Sequence, residues 1–255
     1  AAVVVEGGAV HDTTVKFPNY LWGHKEEIIP SYMALHKELS QYGCKTIIQL
    51  VHSGGRMSSH DSRLPLWAPS DVRSAISPEI PHAMTTEEIS QVLDGYEKSF
   101  KNAVEGGVDG IEIHAAHEYL LGQFLSPLNN LRTDEYGGSM DNRMRLLNEV
   151  VMLARKTVGD DMVVGIRING SDLVDASLSN DDYVEVARNI EALASVDYLS
   201  ISAGTSRDNH MIVPPMDTPE GLYVDYAANI RAAVTLPVMA VGRLKNPELA
   251  EEVIA

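Results

Sequence analysis

The sequence has one cysteine, Cys44, in 255 residues. That excludes an internal disulfide framework and a cysteine-ligated cluster within these residues. No apolar run approaches the ~20 residues that a membrane-spanning helix requires. No basic stretch precedes the opening Ala1-Ala2-Val3-Val4-Val5, so a secretory leader is not expected and a cytoplasmic location is. Basic residues are scarce: 20 lysines and arginines stand against 36 aspartates and glutamates, a formal net charge of −16. Nucleic-acid binding leans on basic surface, so no nucleic acid is expected, and solvated acidic helix faces account for the charge. What remains is ordinary for a globular chain, 44% hydrophobic and 22% charged, and suffices for one sizeable core.

Short β-branched runs alternate with longer helical patterns. The runs are Val3 to Val5, Thr46 to Leu50, Gly110 to His114, Met162 to Ile168, Tyr198 to Ser202 and Val238 to Val241. Each is nearly all apolar rather than alternating, as parallel strands buried on both faces are. Between them, helices are expected over Glu26 to Gln41, Thr86 to Glu105, Asn142 to Val158, Asp181 to Leu193, Val224 to Val234 and Pro247 to Ala255. Thr85-Thr86-Glu87-Glu88 is an N-cap followed by first-turn acids. Strand and helix alternating throughout imply a βα repeat with right-handed crossovers. The reading is α/β, a (β/α)8 TIM barrel of which residues 1–255 form a single domain with about six of the eight units, lacking the first strand and the last βα unit. An open doubly wound sheet is the rival; no G-x-G-x-x-G follows the first strand to support it.

In such a barrel, chemistry gathers where strands end. The strand ends supply Glu6-Gly7-Gly8, Gln49 with His52, His114 with His117 and Tyr119, Arg167 with Asn169, Ser202 with Gly204, and Gly242-Arg243. The set offers no convincing nucleophile and no paired-carboxylate site. His114 and His117 are three apart but have no third ligand near them, so no metal is expected. Gln49 provides a donor and an acceptor, as an imide edge requires. Arg167 provides a fixed positive charge, and Gly7, Gly204 and Gly242 allow close backbone approach. A flat, electron-poor heterocycle fits this ring of groups; a sugar phosphate could also use the arginine and glycines.

Longer motifs narrow the choice. Ile111-Glu112-Ile113-His114-Ala115-Ala116-His117-Glu118-Tyr119-Leu120-Leu121-Gly122-Gln123-Phe124-Leu125-Ser126-Pro127 runs on into Asn130-Leu131-Arg132-Thr133-Asp134-Glu135-Tyr136-Gly137-Gly138-Ser139. With Ile48-Gln49-Leu50-Val51-His52-Ser53-Gly54-Gly55-Arg56, Pro214-Pro215-Met216 and Pro237-Val238-Met239-Ala240-Val241-Gly242-Arg243, it resembles the old yellow enzyme family on its 2,4-dienoyl-CoA reductase and 2-enoate reductase branch. The resemblance implies an FMN-binding barrel and an ene-reductase that reduces an activated C=C bond with electrons from NAD(P)H. It implies that Gln49 and Arg167 hold the pyrimidine side of FMN, that Gly7 lies against the flavin, and that Gly242 and Arg243 lie near the phosphate. His114 and His117 would hydrogen-bond a substrate carbonyl, and Tyr119 would protonate the α-carbon. Glu118 departs from the family pattern, which usually has glycine there. On the dienoyl-CoA branch a 4Fe-4S and FAD module follows the barrel; a cysteine cluster and a G-x-G-x-x-G beyond Ala255 would identify it. An amine-oxidising branch related to trimethylamine dehydrogenase shares the same resemblance, and a non-catalytic scaffold is the reading from a different class. The expected partner is a small-molecule substrate; self-association into a homo-oligomer is left open. His52 is expected to shape its loop, His210 to lie outside the site, and Arg132 to Ser139 to be a structural turn.

Overall fold

The computed structural model describes residues 1–14, 21–60 and 62–254. Six parallel strands form one sheet whose order follows the chain: β1 (Ala2–Ala9), β2 (Lys45–Val51), then, after two two-residue strands β3 (Trp67–Ala68) and β4 (His82–Ala83) that pair with each other, β5 (Gly110–His114), β6 (Val163–Asn169), β7 (Tyr198–Ser202) and β8 (Val238–Ala240). The order β1-β2-β5-β6-β7-β8, parallel throughout, makes six consecutive staves of a (β/α)-barrel wall. Helices return the chain between them: α1 (Ile29–Ser40), α2 (Thr86–Glu105), α3 (Leu120–Leu125), α4 (Met140–Val158), α5 (Asn180–Ala192) and α6 (Val224–Ala233), with α7 (Pro247–Ile254) after the last strand. Ala255, expected in α7, lies outside the described residues.

The elements arise from local signals. Thr85 caps α2 by a reciprocal box: its Oγ1 accepts the Glu88 N–H at 3.2 Å, and Glu88 accepts the Thr85 N–H at 2.8 Å. Ser179 and Asp182 repeat the device at α5. The central strands β5 and β7 are buried at every position, whereas the edge strands β1 and β8 remain largely open to solvent. An edge strand lacks a neighbour on one side, so an apolar run there is only partly covered. Tyr32 on α1, Tyr96 and Phe100 on α2 and Phe124 on α3 fill the layer between helices and sheet. One glycine is there for space: β6 and β7 pair Gly165 with Tyr198, and a Cβ on Gly165 would stand 2.1 Å from the Tyr198 ring.

The turn after β5 is pinned as expected for a structural run. Arg132 donates to the carbonyls of Pro69 (3.1 Å) and Met84 (2.5 Å), and Asn130 donates to those of Phe124 and Tyr136, both at 2.7 Å. These bonds fix the path of the loop that leaves the β5 end.

Candidate active site at the strand ends

The C-terminal ends of the strands surround a cavity of about 780 Å³, within the ~300–1,000 Å³ range of small-molecule sites. Glu6 and Gly7 from β1, Gln49 and Val51 from β2, His114 from β5 and Arg167 from β6 line it. His117, Tyr119, Arg56 and the segment carrying Asn209, His210, Ile212 and Val213 close it from the loops. Six of the residues singled out from sequence therefore meet in one place: Gly7, Gln49, His114, His117, Tyr119 and Arg167.

The floor is a polar relay between strands. Gln49 and Glu112 are register partners on β2 and β5, and Gln49 Nε2 donates to Glu112 at 2.6 Å. The Tyr198 hydroxyl donates to the other carboxylate oxygen at 2.8 Å. A carboxylate only accepts, so the Gln49 NH₂ must face Glu112, which leaves its carbonyl oxygen and second N–H for other partners. Arg167 sends Nη2 to Ser202 Oγ at 3.2 Å. Its Nε is buried with no hydrogen-bond partner. Arg167 lines the cavity with hydrogen-bonding capacity to spare, as a side chain that receives an acceptor-bearing ligand would.

The two histidines differ in how they are held. His114 Nδ1 accepts the Ala116 N–H at 3.3 Å, which puts the ring proton on Nε2. His117 Nε2 lies 2.7 Å from Ser202 Oγ, and its backbone N–H donates to Asn169 at 3.2 Å. Burial pushes the His117 pKa down to about 3, helped by the charges of Arg167 and Arg56. Burial likewise holds His114 well below its ordinary value, with His117, Arg167 and Arg56 adding to it. Both rings are thus neutral near pH 7. Tyr119 stands edge-on to them, its centroid 4.7 Å from that of His114 and 6.3 Å from that of His117.

Gly242 and Arg243 do not line this cavity. A Cβ on Gly242 would meet Tyr223 at 2.9 Å, and Arg243 turns to donate to the Pro215 carbonyl. The Arg243 Nε is left buried without a partner. His210, expected outside the site, is on the cavity lining and pairs with Asp208 at 3.1 Å. His52 is buried away from the cavity, bonded to Thr13 at 2.9 Å and to the Gly54 N–H at 3.0 Å, and shapes its loop.

Sequence reasoning missed Arg56, Glu112, Tyr198 and Asn209. Glu112 had a signal: it is the one charged residue in the buried run Gly110 to His114. Arg56 closes the motif that begins with Gln49, but its partner Asn209, which accepts from Nη2 at 2.7 Å, lies 153 residues away. Its guanidinium also sits 4.9 Å over the Tyr119 ring.

A family model described as the NADH:flavin oxidoreductase / NADH oxidase family matches residues 1–255. Among curated relatives, an N,N-dimethylglycine/sarcosine dehydrogenase of Chromohalobacter salexigens is 34% identical over 90% of this chain and 34% of its own length. An NADPH dehydrogenase of Bacillus licheniformis is 34% identical over 89% of this chain and 63% of its own length. The solved structure of a 2-naphthoyl-CoA reductase in complex with 2-naphthoyl-CoA superposes with a TM-score of 0.91 at 27% identity, covering 99% of this chain and 40% of that one. The chain thus spans 34% to 38% of the length of three of the curated relatives and 63% to 71% of several shorter ones.

Proposed function

The chain belongs to the NADH:flavin oxidoreductase / NADH oxidase family, whose members bind FMN and use NAD(P)H, and from that premise we propose that it forms six of the eight βα units of the FMN-binding barrel of an ene-reductase. The substrate class is an activated C=C bond in an enoyl or dienoyl thioester, an enoate or an enone. The residues present suit the cofactor: Gln49 has an amide edge to offer, Arg167 has an unsatisfied buried N–H, and Gly7 (φ 88°), beside Glu6, puts no side chain of its own on the β1 wall. Bound there, FMN supplies hydride chemistry. Gln49 and Arg167 would hold its pyrimidine side, and the fixed charge of Arg167 would favour an electron-rich ring. Gly242 and Arg243 remain candidates for the phosphate end, with the unpartnered Arg243 Nε in its favour.

The observation that carries the reading is the convergence of His114, His117 and Tyr119 on the wall that Gln49 and Arg167 also line. Neutral histidine rings donate hydrogen bonds to a carbonyl oxygen without carrying charge. That withdraws electrons from a conjugated double bond, and the hydroxyl of Tyr119 then delivers the proton to the α-carbon.

The relative that oxidises N,N-dimethylglycine and sarcosine supports a second reading, a flavin-dependent amine dehydrogenase. A methylated amine is commonly caged by aromatic rings. Among the described residues that line the cavity, Tyr119 is the one phenol, and there is no tryptophan or phenylalanine, so we favour the carbonyl-bearing substrate.

Stopped-flow absorbance on the full-length flavoprotein tests both readings by following reduction by NAD(P)H and reoxidation separately. An enone or enoate is expected to reoxidise the flavin. His117→Ala should slow that step by about 10²–10³-fold and Tyr119→Phe by about 10²–10⁴-fold, with reduction by NAD(P)H retained. Reoxidation at the parental rate in both variants would remove these residues from the reaction. Reduction of the flavin by sarcosine with no response to any enone would establish the amine reading instead.

A further inference from the structure

The β5 loop passes through two successive left-handed residues, His117 (φ 60°) and Glu118 (φ 60°). Neither is glycine, so each backbone carries a steric cost that neighbouring contacts must offset. For His117 the contact is the bond from its N–H to Asn169. For Glu118 it is the side chain. This residue is 4% exposed, and its Oε2 accepts the backbone N–H of Ser206 at 2.7 Å. Its carbonyl accepts from Gln123 Nε2 at 3.0 Å. A buried carboxyl oxygen is costly unless it is hydrogen-bonded, and here Oε2 accepts the Ser206 N–H at 2.7 Å.

Glu118 does not line the cavity, but it reaches the residues that do. Ser206 opens the helical turn Ser206–Met211, which carries Asn209 to the cavity. Asn209 accepts from Arg56, and the Arg56 guanidinium covers the Tyr119 ring. Tyr119 follows Glu118 in the chain. The contacts therefore close a ring through Glu118, Ser206, Asn209, Arg56 and Tyr119. We propose that Glu118 is a positioning residue: its carboxylate latches the turn after β7 onto the β5 loop and, through Asn209 and Arg56, holds the Tyr119 ring where its hydroxyl meets substrate. The inference rests on Tyr119 being the proton donor.

Two substitutions in the full-length, FMN-loaded enzyme separate the latch from the backbone. Glycine adopts the left-handed conformation freely, so Glu118→Gly removes the latch without adding strain. Glu118→Gln keeps the shape and an acceptor oxygen. Hydrogen–deuterium exchange over residues 206–211 reads the latch itself; the two flavin half-reactions read its effect on Tyr119. In Glu118→Gly, exchange over that segment is expected to rise by about 10-fold, and reoxidation by an enone to slow by about 10–100-fold. Reduction by NAD(P)H should stay within about two-fold, and Glu118→Gln should stay close to the parent on every readout. A merely structural role would slow both half-reactions together. Should Glu118→Gly fail to fold, Ser206→Pro removes the donor from the other side, with Ser206→Ala as its control because it keeps the N–H; the same split is expected between them. Parental exchange in Glu118→Gly, or in Ser206→Pro, overturns the latch. Parental reoxidation in Glu118→Gly, or a Glu118→Gln as slow as Glu118→Gly, overturns the positioning role. A parent enzyme that no enone reoxidises overturns the functional reading instead, and the exchange data then judge the latch alone.

Discussion

Replacing Arg167 tests the cofactor assignment most directly. Its Nη2 is engaged with Ser202 at 3.2 Å, while its Nε is buried and unsatisfied. A ligand acceptor that meets this N–H gains a charge-assisted hydrogen bond without first displacing a protein partner. Hydrogen bonds to charged groups contribute about 1.5–3 kcal/mol, so Arg167→Met should weaken FMN binding by about 10–150-fold at about 1.4 kcal/mol per decade. Arg167→Lys keeps the charge but loses the planar fork, so its loss should be smaller. If the cation also favours the electron-rich ring, the two-electron midpoint potential of the bound flavin should fall in Arg167→Met, by about 30–60 mV for the same energy range. Fluorescence titration of the apoprotein with FMN supplies the dissociation constant, and dye-equilibrated reduction of the reconstituted protein supplies the potential. A folded Arg167→Met protein that binds FMN with parental affinity refutes the assignment, because a guanidinium that holds the flavin cannot be removed without weakening its binding.

Gly165→Ala would drive a methyl group into the Tyr198 ring, 2.1 Å away, and should destabilise the protein by about 1–3 kcal/mol, read as a lower urea midpoint; an unchanged midpoint would mean that the β6–β7 packing is slack. Tyr198→Phe takes one of two donors from the buried Glu112 carboxylate and should cost about 1–3 kcal/mol by the same measurement, with no loss counting against the relay. Burial holds His52 and His117 at about 3 and His114 well below the ordinary 6.5, so the unfolded chain takes up protons that the folded one does not as pH falls below 6.5. Stability should therefore be level above pH 7 and fall by about 1.4 kcal/mol per unit for each of His52 and His117 between 6.5 and about 3, with His114 adding in the same direction; equal urea midpoints at pH 5 and pH 7 would contradict the neutral burial of these rings.

Much of the fold was legible because its signals are local. All six main strands announce themselves as apolar, β-branched runs, and the α2 boundaries follow from the Thr85 cap and the glycine at its exit. α3 escaped notice because all six of its residues are buried, which erases the polar face that a helical period needs. The pairs β3 and β4 are too short to carry any pattern.

At the site the same division holds, and it has one physical cause. Parallel strands in consecutive order bring their C-terminal ends to one rim, so Gln49, His114 and Arg167 can be placed together from the chain alone, once each is known to end a strand. Whether a side chain then faces the cavity, a neighbouring strand or another loop depends on contacts between residues far apart in sequence. Gln49 gives one N–H to Glu112 across 63 residues, Arg56 meets Asn209 across 153, and Glu118 meets Ser206 across 88. Arg243, close to a strand end like the others, donates instead to the Pro215 carbonyl, 28 residues earlier. Sequence by itself determined the repeat, the strand ends and the chemical inventory of the rim, since those rest on local propensity and burial period. Only the packed structure decided which donors remain unspent, since a hydrogen bond between loops exists once both loops have been ordered and water has been excluded from between them.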